Sequence, residues 1–409
     1  MRLALLVAVA GCSAHAADHA PDAGGPDAPA ACRPGMPSDL PVPPVGALQM
    51  NDISVLLPLA TTAQDFAAYP SAGSPGANGP LLPAELTGTL DSLVLPYDQL
   101  RVVALRLDPC FGNVGPITET SSCDNQLRLV FEPLVFGNGV TTAADGAVHV
   151  SYALTRAELV TAANAIAAAR EVTTTDDLGP LAVHPIVAAQ GLTGAMAHQL
   201  FAIIAQYADA TRIERITSLD VPPSLGLGGN PTVFWQLQGV SVAACIETPL
   251  AIPTLSGATE SGVNASTDPL ETLVTVETAS PDKIDVLASV DKAMAASPSA
   301  RQDAYDAALR IENPNEQSPT TIDCASCHLA EPARRLVGEP LFSLSSAGDP
   351  NAFTSSTVPA ADLVTTTPLV GADTVLDIHA FSYRGTSAMI DQRVVNETAA
   401  NLAYLRTLP

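Results

Sequence analysis

The chain has 409 residues, of which 42 are acidic and 18 basic, for a formal net charge of −24. That balance speaks against nucleic acid as a partner, because a phosphate backbone and this surface would repel each other. The length suits one large domain or two, and no apolar run is long enough to span a bilayer.

The opening, Met1-Arg2-Leu3-Ala4-Leu5-Leu6-Val7-Ala8-Val9-Ala10-Gly11-Cys12, places one positive residue before a short apolar run and then small residues. This is the order of a secretory signal. Val9-Ala10-Gly11-Cys12 resembles the lipobox of bacterial lipoproteins, which implies removal of residues 1–11 and lipidation of Cys12. Acyl chains would then hold an exported body on a bacterial membrane, at its periplasmic or cell-surface face, without a transmembrane helix. Residues 12–46, rich in Ala, Pro, Asp and Gly, cannot bury enough apolar surface to offset the entropy of ordering, and read as a disordered tether.

Residues 47–280 read as an α+β domain with a mostly antiparallel sheet and two main helices. Arg101–Leu107, Asn125–Phe131 and Ala147–Tyr152 are predicted strands, and the second and third alternate as half-buried strands do. Thr155-Arg156-Ala157-Glu158 is a capping box that opens a helix to about Arg170. A second helix follows Thr193 and runs to about Asp209, after which Thr232–Leu237 returns to strand. Strands, then helices, then strands again indicate α+β. This region has no Gly-x-Ser-x-Gly elbow, phosphate loop or His-Glu-x-x-His motif, so no residue in it supports an enzyme assignment. His149 and His184, in apolar strand-like surroundings, and His198, on a helix, read as ordinary core or surface histidines.

A Thr, Ser, Pro and acid-rich stretch between Pro249 and Pro298 marks a boundary. Residues 281–409 then form a small, mainly helical domain. Ser299-Ala300-Arg301-Gln302 reads as a capping box for a helix to about Glu312, and a Pro and Asn-rich loop leads to Cys324-Ala325-Ser326-Cys327-His328. That spacing lets two thiols add across the two vinyl groups of a haem while the adjacent histidine takes the iron. A thioredoxin-like pair would need a buried strand before it, and Pro319–Asp323 is too short and polar. A structural zinc site would need two more ligands close by, and none is present.

On these residues the last hundred or so positions resemble a c-type cytochrome, which implies one covalent haem c on Cys324 and Cys327, with His328 as the proximal iron ligand. Leu402–Leu408 is similar to the C-terminal helix of small class I cytochromes c, where a methionine loop precedes the last helix. Asp391 is its predicted N-cap, with Ile390 stapled to Val395. Met389 and His379 are the candidates for the second axial ligand, and methionine would raise the reduction potential relative to bis-histidine. Two features depart from that pattern: Pro319 interrupts the approach to the haem element, and a strand-like insertion follows His328. With only one Cys-x-x-Cys-His, a two-haem peroxidase is disfavoured.

Beside these assignments, four of the seven cysteines are left: Cys32, Cys110, Cys123 and Cys245. Cys110 with Cys123 and Cys32 with Cys245 is the expected pairing in an oxidising compartment, the first closing a loop worth about 3 kcal/mol. The expected function is covalent haem binding and one-electron transfer to an unidentified redox partner, an electron carrier rather than a catalyst, with the acidic surface steering a basic partner. The competing expectation is a non-haem surface or ligand-binding lipoprotein stapled by a Cys324–Cys327 disulfide.

Overall fold

The computed structural model describes residues 48–86, 96–117, 124–220, 233–251, 259, 261–266, 282–366, 368–369 and 378–408. The expected signal, Cys12, the tether, Cys32 and Cys123 lie outside the described residues. The chain is α+β, with several helices around a nine-stranded sheet.

The sheet is built from β1 (Ser54–Leu56), β2 (Leu100–Phe111), β3 (Asp124–Gly137), β4 (Val140–Ala143), β5 (Gly146–Leu154), β6 (Ile213–Asp220), β7 (Val233–Ala243), β8 (Ile246–Pro249) and β9 (Ser261–Ser266). Its order is β1-β2-β3-β5-β6-β7-β8, with β4 also on β3 and β9 also on β7. Every strand pairing in it is antiparallel. Strand side chains alternate between faces, and the two faces differ sharply in chemistry. One presents Leu105, Leu127, Leu129, Val148, Val150 and Tyr152, all buried in a core shared with two helices. These are α1 (Arg156–Thr173), through Leu159, Ala163 and Ile166, and α2 (Ala195–Tyr207), through Leu200 and Ile204.

The opposite face is polar at one end and apolar at the other, and the C-terminal part of the chain covers it. Leu219, Trp235 and Leu237 share a second core with Ile284, Leu287, Tyr305, Leu309 and Val337. The covering helices are α3 (Pro298–Glu312), α4 (Cys324–Pro332) and α5 (Gln392–Leu405). Helix α3 starts just before the predicted box because Ser297 caps it, accepting from the Ala300 amide at 3.1 Å, with Pro298 in the first turn, where no amide hydrogen is needed. Pro332 ends regular α-geometry in α4, and residues 333–338 continue as a π-helical turn, as expected where prolines remove amide donors.

A hairpin of β10 (Phe381–Arg384) and β11 (Ser387–Ile390) leads into α5. It is tied to the sheet by the Ala143 amide, which donates to the Gly385 carbonyl at 2.9 Å. The Tyr383 amide likewise donates to the buried Glu132 carboxylate at 2.9 Å. Helix α5 lies against β1 and β2: Thr398 and Ser54 hydroxyls meet at 2.7 Å, and the Asn401 amide donates to Asp108 at 3.2 Å.

The predicted box of α1 is present: the Glu158 amide donates to Thr155 Oγ1 at 3.2 Å, and the Thr155 amide donates to Glu158 at 2.9 Å. Thr155→Ala removes the first of these bonds, so we expect a loss of about 1 kcal/mol, read as a lower urea midpoint with unchanged slope.

Candidate functional site: a cleft between the sheet and the Cys-x-x-Cys-His helix

Asp323 sets the start of α4. Its carboxylate accepts from the Ser326 amide at 2.8 Å and the Ser326 hydroxyl at 2.7 Å, which satisfies amides that a helix leaves unpaired. With that cap fixed, Ala325, Ser326, Leu329 and Ala330 turn inward, whereas Cys324, Cys327 and His328 are the half-buried positions of 322–330. All three line one cleft. Both sulfurs are thiols rather than partners in a disulfide. Burial pushes the Cys327 thiol up to about 12, the opposite of the lowered value a reactive redox cysteine needs.

His328 has a defined tautomer. Its Nδ1 lies 2.5 Å from the carbonyl of Ile378, and because a carbonyl can only accept, Nδ1 carries the hydrogen. That leaves Nε2 with its lone pair. Burial lowers the basicity of this ring, and neighbouring His379 adds to the effect, so the imidazole is held in the neutral form that binds metals. Among the described residues no three His, Cys, Asp or Glu side chains converge as the ligands of a lone ion would.

The facing wall is the polar face of the sheet. Strand register sets two adjacent rows there. The first runs Ala104, Val130, His149, Thr217 across β2, β3, β5 and β6, and the second runs Arg106, Arg128, Ser151, Arg215 across the same strands. From both rows all but Ala104 line the cleft, together with Ile322, Phe381, Asp391, Arg393, Val394 and Glu397 from the C-terminal side. A register irregularity between Asp108 and Phe111 at the end of β2 accompanies the entry of Phe111 into the same cleft, as a bulge re-aims a side chain. The guanidinium groups of Arg128 and Arg215 lie 5.2 and 5.1 Å from its ring centre. The cavity volume of the cleft is about 100 Å³, below the several hundred Å³ usual for cofactor clefts. A second cavity adjoins it across Arg106, Phe111, Arg128, Pro319, Arg393 and Glu397.

His149 is the half-buried centre of β5, flanked by fully buried Val148 and Val150. Burial, followed by the charges of Arg128, His328, His379 and Arg106, holds it well below the usual histidine range, so it is neutral at physiological pH. His184 is buried elsewhere as the cap of a short helix, accepting from the Val187 amide at 3.3 Å. His149 is a cleft-lining side chain that reading the sequence missed. Its only local signal is a polar residue on the small-residue face of a strand, Ala147, His149, Ser151 and Ala153.

The two residues expected as second iron ligands are placed differently. Met389 is buried in β11, opposite Ser382 rather than in a loop, and does not line the cleft. His379 has both ring nitrogens engaged: Nε2 donates to Asp145 at 2.5 Å, and Nδ1 is bonded to the Ser382 hydroxyl at 3.0 Å. Of the remaining cysteines, Cys110 and Cys245 are disulfide-bonded, and Cys110 lines the adjoining cavity.

The residues fit a haem in three respects. Thiols and a bare imidazole nitrogen face one space, Val130, Ile322, Phe381 and Val394 give it apolar walls, and arginines stand at its edge where carboxylates would be neutralised. Compared with protein-family models, with characterised proteins and with solved structures, the chain matches none.

Proposed function

We propose that this chain is a single-haem c-type electron carrier, exported and anchored through lipid on Cys12, with the haem attached at Cys324 and Cys327. The observation that carries this reading is that the three motif side chains are those of the α4 segment opening into the cleft, with His328 Nε2 left bare by the bond to Ile378. Each thiol would add its S–H across one vinyl double bond, sulfur to one carbon and hydrogen to the other. No oxidant is needed, which suits a pair of thiols.

Haem supplies a one-electron iron couple when bound. His328 would hold the iron from the α4 side, its orientation fixed by the Ile378 carbonyl. Val130, Ile322, Phe381 and Val394 would exclude water from the ring faces. Arg128 and Arg215 would neutralise the propionates: Arg128 already shares Asp108 at 2.8 Å, and both lean on Phe111. No described helix is long and apolar enough to cross a membrane, so attachment to one would rest on the lipid. The redox partner would be a protein with a basic docking surface.

The test is to express the chain behind an export signal in a host that matures c-type cytochromes, then stain a denaturing gel for haem and record the pyridine haemochrome. A band that keeps its haem through denaturation is expected. A colourless protein, beside a control cytochrome maturing normally in the same cells, would overturn the reading in favour of a ligand-binding lipoprotein.

A further inference from the structure

We propose that His149, on the sheet wall, is the second protein ligand of the haem iron, so that the cofactor is held across the joint between the sheet and the C-terminal segment. This rests on the haem reading above. A haem iron with His328 on one side has one axial position left, and the residue filling it must reach the cleft from the wall opposite α4.

Among the described residues, His149 and His328 are the histidines that line the cleft, one from β5 and one from α4. His149 makes no hydrogen bond to any described residue, whereas His379 has both nitrogens occupied. A partly open histidine without partners, between two fully buried valines in mid-strand, has an unmet bonding capacity that points into the cleft. Met389 offers no rival from within the cavity, since it lies outside the lining.

The surroundings of His149 suit a flat ring lying over it. Its cross-strand neighbours on that face are Val130 and Thr217, short side chains that leave room above the sheet. The arginine row begins two residues along the strand, about 7 Å away, beyond the ring centre and toward its edge. Cationic side chains therefore stand where the carboxylates of a ring centred on His149 would fall, and none stands under the centre itself.

The test compares haem-loaded full-length chains by visible and electron paramagnetic resonance spectroscopy, with carbon monoxide added to the reduced forms. The parent is expected to be low-spin, to lack the methionine-to-iron charge-transfer band and to resist carbon monoxide. His149→Ala should convert the ferric signal to high-spin and bind carbon monoxide, and added imidazole should restore the low-spin signal. His149→Met guards against a folding failure: it should remain coloured and gain the methionine band. His379→Ala and Met389→Leu should stay low-spin. If His149→Ala keeps the parent's low-spin spectrum, or the parent itself is high-spin and open to carbon monoxide, the assignment is overturned while the haem reading stands. A parent without covalent haem overturns both.

Discussion

A chain carrying Cys324→Ser and Cys327→Ser together should lose all haem that survives denaturation while keeping the parent's circular dichroism. Both cysteines are half-buried at the cleft wall, and neither is tied into a disulfide, so serine replaces sulfur at a site whose fold does not depend on a crosslink. The helix start depends instead on Asp323 and Ser326, which the double variant leaves untouched. Each single variant keeps one thioether, and its pyridine haemochrome should shift to the position of a haem with one unsaturated vinyl group. His328→Ala should retain the stain, since its bond is to iron, and change the spin state. If the disulfide-stapled alternative holds, the parent and the double variant will be equally colourless, and a thiol titration will find the parent's pair oxidised.

The second large effect concerns Glu397, which joins α5 to the sheet beneath the cleft. Its carboxylate meets Arg106 at 2.7 Å and Arg393 at 2.6 Å, all three side chains nearly buried. Burial works to raise this carboxyl, but the guanidinium groups of Arg393, Arg106 and Arg128 outweigh it and hold the group at about 2. Glu397→Gln leaves two buried cations short of a partner, and a loss of about 3 to 5 kcal/mol is expected at neutral pH. The folded-state value lies below the ordinary 4.5, so the carboxylate's stabilisation is fully present above pH 4.5 and disappears as pH falls toward 2. Urea unfolding of parent and variant should therefore differ most near pH 7 and converge in acid. A difference that stays constant across that window would show that the carboxylate's charge is not what holds α5 down.

Local signals in the sequence were strong where a few neighbouring residues decide the outcome. The strands at Asn125–Phe131 and Ala147–Tyr152, the Thr155–Glu158 box and the Asp391 cap each appear in place, but burial does not alternate along those strands as half-buried ones would, because both faces of the sheet are covered. The α+β class followed from their order. The cleft was not legible, because it depends on register between distant strands. Arg106, Arg128 and Arg215 each look like an ordinary polar-face residue in its own strand, and only pairing β2 with β3, β3 with β5, and β5 with β6 sets them in one row. His149 was hidden for the same reason: the face that alternation alone assigns to solvent is covered by residues far along the chain. Met389 precedes the last helix as the cytochrome resemblance implies, yet the β10–β11 pairing turns it into a buried strand residue.

The two walls of the cleft come from opposite ends of the described chain, with β2 to β6 emerging well before α4. The sheet wall can therefore fold while Cys324 and Cys327 are still being delivered, and the pair becomes only half-accessible once α5 and the hairpin settle. On the haem reading, attachment would be easiest in that interval. The salt-bridged seating of α5 would then set the time available for maturation, and a chain whose C-terminal helix docks late would keep its attachment site open for longer.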